Sequence, residues 1–174
     1  LARVESQYGV PKEIVLGVWG METNYGAGFG NTYIIRALAT LASINYRGEF
    51  YRNELLGALR ILEEGHIERD NFRGSWAGAM GHTQFMPTSF LKYAVDFNGD
   101  GRKDIWRSVP DALASTANYL KQFGWNASVP WGIEVEIPDN LDYRTMRRSF
   151  SAWQNAGVRS VTGRSLSYGG EARL

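Results

Sequence analysis

The chain has 174 residues, which is enough to bury a hydrophobic core as one domain. Its formal charge of +1 is too small to hold a polyanion such as DNA by electrostatic attraction. Hydrophobic residues make up 44% and charged residues 21%, which excludes a disordered or rod-like chain. The absence of cysteine excludes disulfides and thiolate metal sites. No apolar run approaches the roughly 20 residues of a membrane helix. We expect a folded domain with no nucleic-acid partner and no transmembrane segment.

Helical periodicity dominates the chain as far as about residue 124. Pro11 supplies a helix start, and apolar residues then recur at three- and four-residue spacing until a glycine-rich break at 26–30. The same period, together with the starts at Pro87 and Ser108, predicts further helices over residues 33–45, 50–64, 87–95 and 109–123. Five or six helices are expected in this part of the chain.

The pattern changes after Trp125. Residues 133–137 alternate apolar and acidic side chains, which is strand periodicity, whereas residues 141–155 again favour a helix. We therefore predict an α+β fold that is predominantly α, with an α-rich domain over residues 1–128 and a small β/α appendage over residues 129–174. The glycine-rich end of the appendage lacks a terminating signal, so we interpret the appendage as incomplete.

One carboxylate lies on the apolar stripe of the first predicted helix. Glu22 follows four apolar residues at helical spacing, namely Ile14, Val15, Val18 and Trp19, which predicts that its side chain is buried. A carboxyl group in an apolar site stays protonated more readily and can protonate a leaving-group oxygen. The alternative is a helix-end glutamate that pairs with an arginine or with backbone amides.

The segment at 74–90, GSWAGAMGHTQFMPTSF, places glycines among aromatic and polar residues. Such a loop lets the backbone approach a ligand closely. Ser75 and Gln84 could hydrogen-bond to hydroxyl or acetamido groups, and Trp76 or Phe85 could stack on a sugar face. The alternative is a tight connection between helices that is packed by its aromatic residues.

The segment at 96–104, DFNGDGRKD, has the oxygen spacing of an EF-hand calcium loop. Asp96, Asn98 and Asp100 occupy its first, third and fifth positions, and Gly101 occupies the sixth, where the sharp turn falls. Alternating oxygen ligands of this kind surround Ca²⁺. The alternative is an Asx-rich turn that binds nothing.

The second half of this loop departs from the calcium pattern. Arg102 can serve through its carbonyl, but Arg107 stands where a bidentate glutamate is expected, and the next acid is Asp111. A longer loop over residues 96–111, closed by Asp111, would hold a structural Ca²⁺.

Four segments together resemble the membrane-bound lytic murein transglycosylase B family, which is glycoside hydrolase family 103. They are GVWGMETNYG at 17–26, GSWAGAMGHTQFMP at 74–87, the DFNGDG loop with the IW pair at 105–106, and DALASTANYLKQFGW at 111–125. Members of this family cut the β-1,4 bond between N-acetylmuramic acid and N-acetylglucosamine in peptidoglycan. The resemblance implies a lysozyme-like helical catalytic domain that acts on peptidoglycan strands in the bacterial periplasm. It also implies lipid anchoring to the outer membrane through a segment outside this sequence. We expect the chain to be a monomer.

The resemblance also implies a role for individual residues. Glu22 matches the family's catalytic acid/base, and Ser75, Gln84 and Tyr119 match residues that contact the sugar. The implied calcium ligands are Asp96, Asn98, Asp100, the Arg102 carbonyl and Asp111. His82 and Thr83 depart from the family, where smaller or aromatic residues are common, and an Asn- and Tyr-containing helical segment of the family has no match after residue 158.

The implied reaction uses one essential carboxylate and leaves a 1,6-anhydromuramoyl end. Two other interpretations stay open. A hydrolysing lysozyme would use Glu22 together with an aspartate that positions water, for which Asp70 is the candidate. A non-catalytic, Ca²⁺-dependent peptidoglycan-binding module would keep the cleft without turnover.

Overall fold

Helices are the predominant regular elements of the described chain, as the three- and four-residue periodicity predicts. The computed structural model describes residues 1–141 and 147–174, and it divides into one unit at Leu1–Trp125 and a second at Asn126–Leu174. The predicted boundary at residue 128 lies close to this division. No helix in the described ranges is long and apolar enough to cross a membrane.

The first unit, all of whose residues the structure describes, contains six α-helices and a two-stranded antiparallel sheet. Its elements are α1 Ala2–Tyr8, α2 Lys12–Thr23, β1 Thr32–Tyr33, α3 Ile34–Ser43, α4 Glu49–Glu63, a short 3-10 helix Arg69–Asn71, β2 Arg73–Gly74, α5 Pro87–Tyr93 and α6 Val109–Gln122. In the sheet, Thr32 pairs with Gly74 and Tyr33 with Arg73. Helix α1 was not predicted, because Val4 is its one buried residue and gives no period.

Helix α6 lies at the centre of the first unit. The side chain of Ser108 accepts a hydrogen bond from the backbone N–H of Asp111, so the predicted N-cap is confirmed. Every residue from 111 to 117 is buried, because small side chains on all faces let neighbouring helices approach from several directions. Helices α1, α2 and α5 all contact α6.

Two groups of buried side chains form the core of the first unit. One lies around α3, α4 and α5 and includes Ile34, Leu38, Ile61, Phe72 and Phe90. The other lies between α1, α2 and α6 and includes Val4, Val10, Val15, Leu113 and Ala117. Burying one large apolar side chain stabilises a fold by about 1.5–3 kcal/mol. Together these groups fix the positions of α2, α5 and α6.

A buried carboxylate joins α4 to the start of α5. Glu54 is 3% exposed, and its two carboxylate oxygens accept hydrogen bonds from the backbone N–H of Thr88 at 2.9 Å and from the Thr88 hydroxyl at 2.7 Å. Negative charge at a helix N-terminus is favourable because the orphan N–H groups point toward it. Helix α5 has no side-chain cap from Met86, the residue before it. Its N-terminus is therefore satisfied from another helix.

The second unit is smaller. In its described residues, 126–141 and 147–174, the strands form two antiparallel pairs, β3 Val135–Glu136 with β5 Arg159–Ser160 and β4 Arg147–Ser149 with β6 Glu171–Arg173, and the helix is α7 Phe150–Asn155. The predicted alternation at 133–137 is therefore a strand, although a shorter one.

The helix predicted over residues 141–155 is wrong in part. Residues 142–146 lie outside the described residues, Arg147–Ser149 is a strand, and only Phe150–Asn155 is helical. The Ser149 side chain accepts from the N–H of Ala152 and so begins the helix late. Buried Phe150 and Trp153, spaced three apart, supply the helical period that the prediction extended too far.

Candidate active site

An open cleft of about 280 Å³ lies in the first unit, where α2, α5, α6 and the loop before α5 meet. Helix α2 supplies two of its residues, the loop four, α5 one and α6 three. They are Val18, Glu22, Thr83, Gln84, Phe85, Met86, Ser89, Thr116, Tyr119 and Leu120. The walls are mostly apolar, with a few polar groups between them, as is typical of a small-ligand or sugar site.

Glu22 is the acidic residue among those that line the cleft. It lies one residue before the end of α2, where Thr23 is the last helical residue. The prediction that Glu22 is buried is wrong, because its side chain is exposed. The buried side of α2 carries Val15 and Thr23, eight residues apart, whereas Val18 and Glu22 lie on a neighbouring face that borders the cleft. The spacing correctly placed Val18 and Glu22 on the same face of α2, but that face lines the cleft instead of the core.

The cleft brings together four of the six predicted catalytic and sugar-contact residues, which are Glu22, Gln84, Phe85 and Tyr119. Gln84 has a left-handed backbone with φ of +52°, an uncommon conformation for a residue other than glycine. Its Nε2 donates to the carbonyls of Gly81 at 3.0 Å and Phe29 at 3.4 Å. These bonds fix the side chain at the cleft wall.

Two aromatic rings, those of Phe85 and Tyr119, line the cleft, and two more pack against Tyr119. The Tyr119 ring centroid lies 5.6 Å from that of Phe85, 5.1 Å from that of Tyr93 and 4.5 Å from that of Phe123. Phe85 is buried, and Tyr119 is half-buried at the edge of the core. Aromatic pairs at these distances stabilise one another and hold the rings in place.

Ser75 and Trp76 do not line the cleft, and their sugar contacts stay predictions. The Ser75 hydroxyl accepts from the backbone N–H of Ala79 at 2.9 Å, and the Ser75 carbonyl accepts from the N–H of Gly78. Ser75 therefore stabilises a turn. The Trp76 side chain is exposed. Asp70, the candidate partner of a hydrolytic mechanism, is exposed in the 3-10 helix and does not line the cleft either.

Thr83 is a cleft residue that the sequence analysis did not identify as a site. It is 5% exposed, and its hydroxyl oxygen is buried with no hydrogen-bond partner in the described part of the chain. A buried hydroxyl without a partner is unfavourable. Its position next to Gln84 in the sequence could have suggested that Thr83 lies at the cleft. Loop residues show no helical or strand periodicity, so nothing in the sequence predicted that its side chain is buried.

Hydrogen bonds from loop backbone to acidic side chains organise the segment at 96–104. The Asp96 carboxylate accepts from the N–H groups of Gly99 and Gly101, both at 2.7 Å. Asn98 donates to the Asp100 carboxylate at 3.1 Å, and Gly101 turns with φ of +88°. These side chains bring carboxylate and amide oxygens, which are hard donors, to one exposed turn. This chemistry fits Ca²⁺.

Asp111 has a different environment from the other predicted ligands. Its side chain is fully buried, and its carboxylate accepts from the backbone N–H groups of Phe97 at 3.0 Å, Asn98 at 3.2 Å and Asp104 at 3.1 Å. It therefore fastens both ends of the loop to α6. Within residues 1–141 and 147–174, no group of three or more His, Cys, Asp or Glu side chains is arranged to hold a metal ion. The ligand role of Asp111 stays a prediction.

The helical fold and the cleft with its single carboxylate define a lysozyme-like domain. The chain belongs to the family described as "Transglycosylase SLT domain", which matches residues 1–174. It is 48% identical over 127 residues to the membrane-bound lytic murein transglycosylase B of Escherichia coli (strain K12), a match that covers 72% of this chain and 35% of that protein.

Two solved structures are similar to this chain. SltB3 from Pseudomonas aeruginosa, in complex with NAG-anhNAM-pentapeptide, has a TM-score of 0.88 at 49% identity, covering 99% of this chain and 48% of that one. The Escherichia coli lytic transglycosylase Slt35, in complex with calcium, has a TM-score of 0.85 at 38% identity, covering 100% of this chain and 56% of that one. The predicted family and the predominantly helical, lysozyme-like fold are therefore confirmed. The chain spans about half the length of these solved relatives.

Proposed function

We propose that this chain is a lytic transglycosylase domain that cleaves the β-1,4 bond between N-acetylmuramic acid and N-acetylglucosamine in peptidoglycan. The observation that carries the proposal is that Glu22 is the acidic side chain lining the cleft. Most glycosidases use two carboxylates about 5–9.5 Å apart, but substrate-assisted enzymes replace the second with a group of the sugar. The relatives support the same activity, because SltB3 was solved with an anhydro-sugar ligand.

The proposed reaction uses Glu22 twice. Its carboxylic acid donates a proton to the glycosidic oxygen as the bond from C1 to that oxygen breaks, and the 2-acetamido carbonyl oxygen bonds to C1 as an oxazolinium. The Glu22 carboxylate then takes the proton of the C6 hydroxyl while O6 bonds to C1 and the oxazolinium opens. The product is a 1,6-anhydromuramoyl end, and Glu22 regains its proton.

The walls of the cleft supply orientation and exclude water. Glu22 is exposed in the free chain, so a bound glycan strand would cover it and remove water from the reacting atoms. Phe85 and Tyr119 would contact the sugar through their aromatic rings. Gln84, held in a left-handed conformation, is the polar group that we propose for hydrogen bonds to the sugar.

The test is mass spectrometry of the products that the chain releases from uncrosslinked peptidoglycan strands. Muropeptides one water lighter than hydrolysis products are expected from the unmutated chain and not from Glu22→Gln. Glu13→Gln is the matched control, because Glu13 is an exposed glutamate on the same helix and away from the cleft. Full-mass reducing ends would instead identify a lysozyme, and binding without products would identify a non-catalytic module.

We infer that the loop at 96–104 binds a structural Ca²⁺ through Asp96, Asn98, Asp100 and the Arg102 carbonyl. The support is the hard-oxygen donor set on one turn and the calcium complex of the relative Slt35. Ca²⁺ binds the folded chain and should therefore raise its melting temperature by mass action. When the free Ca²⁺ concentration is a hundred times the Kd, the gain in the free energy of unfolding is about 2.7 kcal/mol. Asp100→Ala should abolish this gain, and Asp70→Ala, an exposed acid elsewhere in the unit, should keep it. A melting temperature that does not change in millimolar Ca²⁺ would overturn the inference.

We also infer a periplasmic location, because peptidoglycan lies in that compartment. The relative from Escherichia coli is a membrane-bound enzyme, and lipid anchoring of the protein that contains this chain follows as a proposal. Fractionation of cells that express the natural protein tests both points. Recovery in the cytoplasm would contradict them. The expected monomeric state is checked by sedimentation of the chain.

A further inference from the structure

We propose that His82 is a positioning residue for Glu22, which it holds in place by fixing the end of α2 on both sides of the carboxyl-bearing residue. This inference rests on the proposed function, because it concerns how the same cleft is organised. His82 lies outside the cleft lining itself and is buried behind it. Its role is therefore to act through other residues.

Two hydrogen bonds connect His82 to α2. The indole Nε1–H of Trp19 donates to Nδ1 of His82 at 3.0 Å, and the hydroxyl of Thr23 donates to the carbonyl oxygen of His82 at 2.7 Å. Trp19 lies three residues before Glu22, nearly one helical turn, and Thr23 is the next residue. His82 thus restrains the backbone of α2 immediately before and after Glu22.

The imidazole ring of His82 is also enclosed by the loop that follows α2. Its centroid lies 4.7 Å from the ring of Phe29 and 5.4 Å from the ring of Trp19, both in edge-on arrangements. A Cβ at Gly26 would lie 2.6 Å from Cε1 of His82, so only glycine leaves room for the ring. The N–H of Gly26 donates to the Thr23 hydroxyl at 3.1 Å. The ring and the loop therefore fit each other closely.

The backbone of His82 is itself anchored to the core. Its N–H donates to the carbonyl of Ile105 at 3.0 Å, and Ile105 is fully buried. Because the backbone of His82 is fixed to the core, its bonds to Trp19 and Thr23 restrain α2 relative to the core of the first unit. A hydrogen bond within α2 could not do this. Displacing a reacting group by about 1 Å can cost about a hundredfold in rate, so this restraint matters for Glu22.

The sharpest pair of variants keeps or removes the acceptor at Nδ1. In His82→Asn, Oδ1 takes the place of Nδ1 and can still accept from Trp19, whereas His82→Phe keeps a ring but offers no acceptor. We expect His82→Phe to lower kcat about tenfold to a hundredfold with KM within about twofold. His82→Asn should recover most of the lost rate.

Two controls separate positioning from a general loss of structure. In the Glu22→Gln background, His82→Phe should leave the affinity for glycan strands unchanged, because only the placement of the carboxyl group is lost. Proton exchange of the Trp19 indole N–H, followed by NMR and assigned with Trp19→Phe, should be slow in the unmutated chain and in His82→Asn but fast in His82→Phe. This readout needs no turnover.

The outcomes distinguish this inference from the proposed function. If the unmutated chain has no activity, the proposed function fails, and the indole exchange still decides whether His82 fixes the end of α2. Equal indole exchange in all three chains would overturn the positioning role. So would a rise in KM with unchanged kcat, a His82→Asn variant no better than His82→Phe, or a loss of glycan affinity in the Glu22→Gln background.

Discussion

Thr23 and Thr83 are buried to nearly the same extent, 4% and 5% exposed, yet their hydroxyl groups have opposite environments. The Thr23 hydroxyl donates to the His82 carbonyl and accepts from the Gly26 N–H. The Thr83 hydroxyl has no partner in the part of the chain that the structure describes. One hydroxyl thus stabilises the fold, whereas the other is retained at a cost on the wall of the cleft.

The first prediction compares the same substitution at these two sites. Thr83→Val removes an unpartnered buried hydroxyl, so we expect a gain of about 1 kcal/mol in the free energy of unfolding. Thr23→Val removes a hydroxyl with two close partners and should lose about 2 kcal/mol. For a chain of this length, 1 kcal/mol corresponds to about 2–4 °C in melting temperature. Calorimetry of both variants measures the difference, and equal destabilisation would contradict the structure.

Activity gives a second prediction for Thr83. The Thr83 hydroxyl oxygen is enclosed by protein and is out of reach of a sugar in the cleft, so Thr83→Val should keep kcat/KM on glycan strands within about twofold. A several-fold loss of kcat/KM in Thr83→Val would contradict the enclosure of this hydroxyl in the substrate complex.

The third prediction concerns pH. Burial lowers the pKa of His82, an effect that Asp104 partly opposes. In the unfolded chain the pKa of a histidine is about 6.5. Between that value and the lower pKa of the folded state, the unfolded chain binds more protons, so the free energy of unfolding decreases as the pH falls through this interval and levels off below it.

Comparison with His82→Asn isolates this effect, because asparagine does not titrate and the two proteins are otherwise identical. Urea titrations between pH 8 and pH 5 should show the unmutated chain losing stability relative to the variant as the pH falls below about 6.5. A difference that stays constant, or that grows in favour of the unmutated chain at low pH, would contradict the burial of a neutral imidazole.

The fourth prediction tests whether Asp111 stabilises the loop at 96–104 through hydrogen bonds or acts as a ligand of Ca²⁺. Asp111→Asn weakens three bonds from backbone N–H groups to a buried carboxylate, and we expect a loss of about 3 kcal/mol with or without Ca²⁺. Asp100→Ala should matter mainly when Ca²⁺ is present, since that side chain is exposed. Melting temperatures in chelator and in millimolar Ca²⁺ give the comparison. A destabilisation by Asp111→Asn that appears only with Ca²⁺ would mean that Asp111 is a ligand first.

The fifth prediction tests the close contact between Gly26 and His82. Gly26→Ala places a Cβ against the imidazole ring at a φ of +88°, so we expect a loss of at least about 2 kcal/mol from backbone strain and overlap. Gly28→Ala is the control, because a Cβ there meets no atom within 4 Å and should change stability by about 0.5 kcal/mol or less. Thermal melts of both variants suffice, and a tolerated Gly26→Ala would contradict the enclosure of the ring.

Helix placement could be predicted from the sequence because each helix of the first unit, except α1, carries a buried stripe or a clear boundary residue. Ser108 and Pro87 begin their helices as predicted. The pairing of Glu22 with Val18 also follows from spacing. Spacing alone, however, gives only the face of a helix, and it cannot say whether that face meets the core or an open cleft.

Residues outside periodic segments could not be placed in this way. The partners of His82 depend on how a loop folds back on a helix far away in the sequence, since Trp19 and His82 are 63 positions apart. The burial of Asp111 likewise follows from tertiary packing around α6. Motif resemblance pointed to this loop as functional, but hydrogen-bond partners came only from the structure.

The two hydrogen bonds between Glu54 and Thr88 also determine what α5 needs in order to be helical. Helix α5 has seven residues and no side-chain cap of its own, and isolated helices shorter than about 12–15 residues are marginal in water. Its N-terminus is completed by a carboxylate 34 residues earlier, on α4. The part of the cleft wall that carries Ser89 therefore depends on α4 for its helical form, and we expect a peptide of residues 80–95 alone to remain a coil.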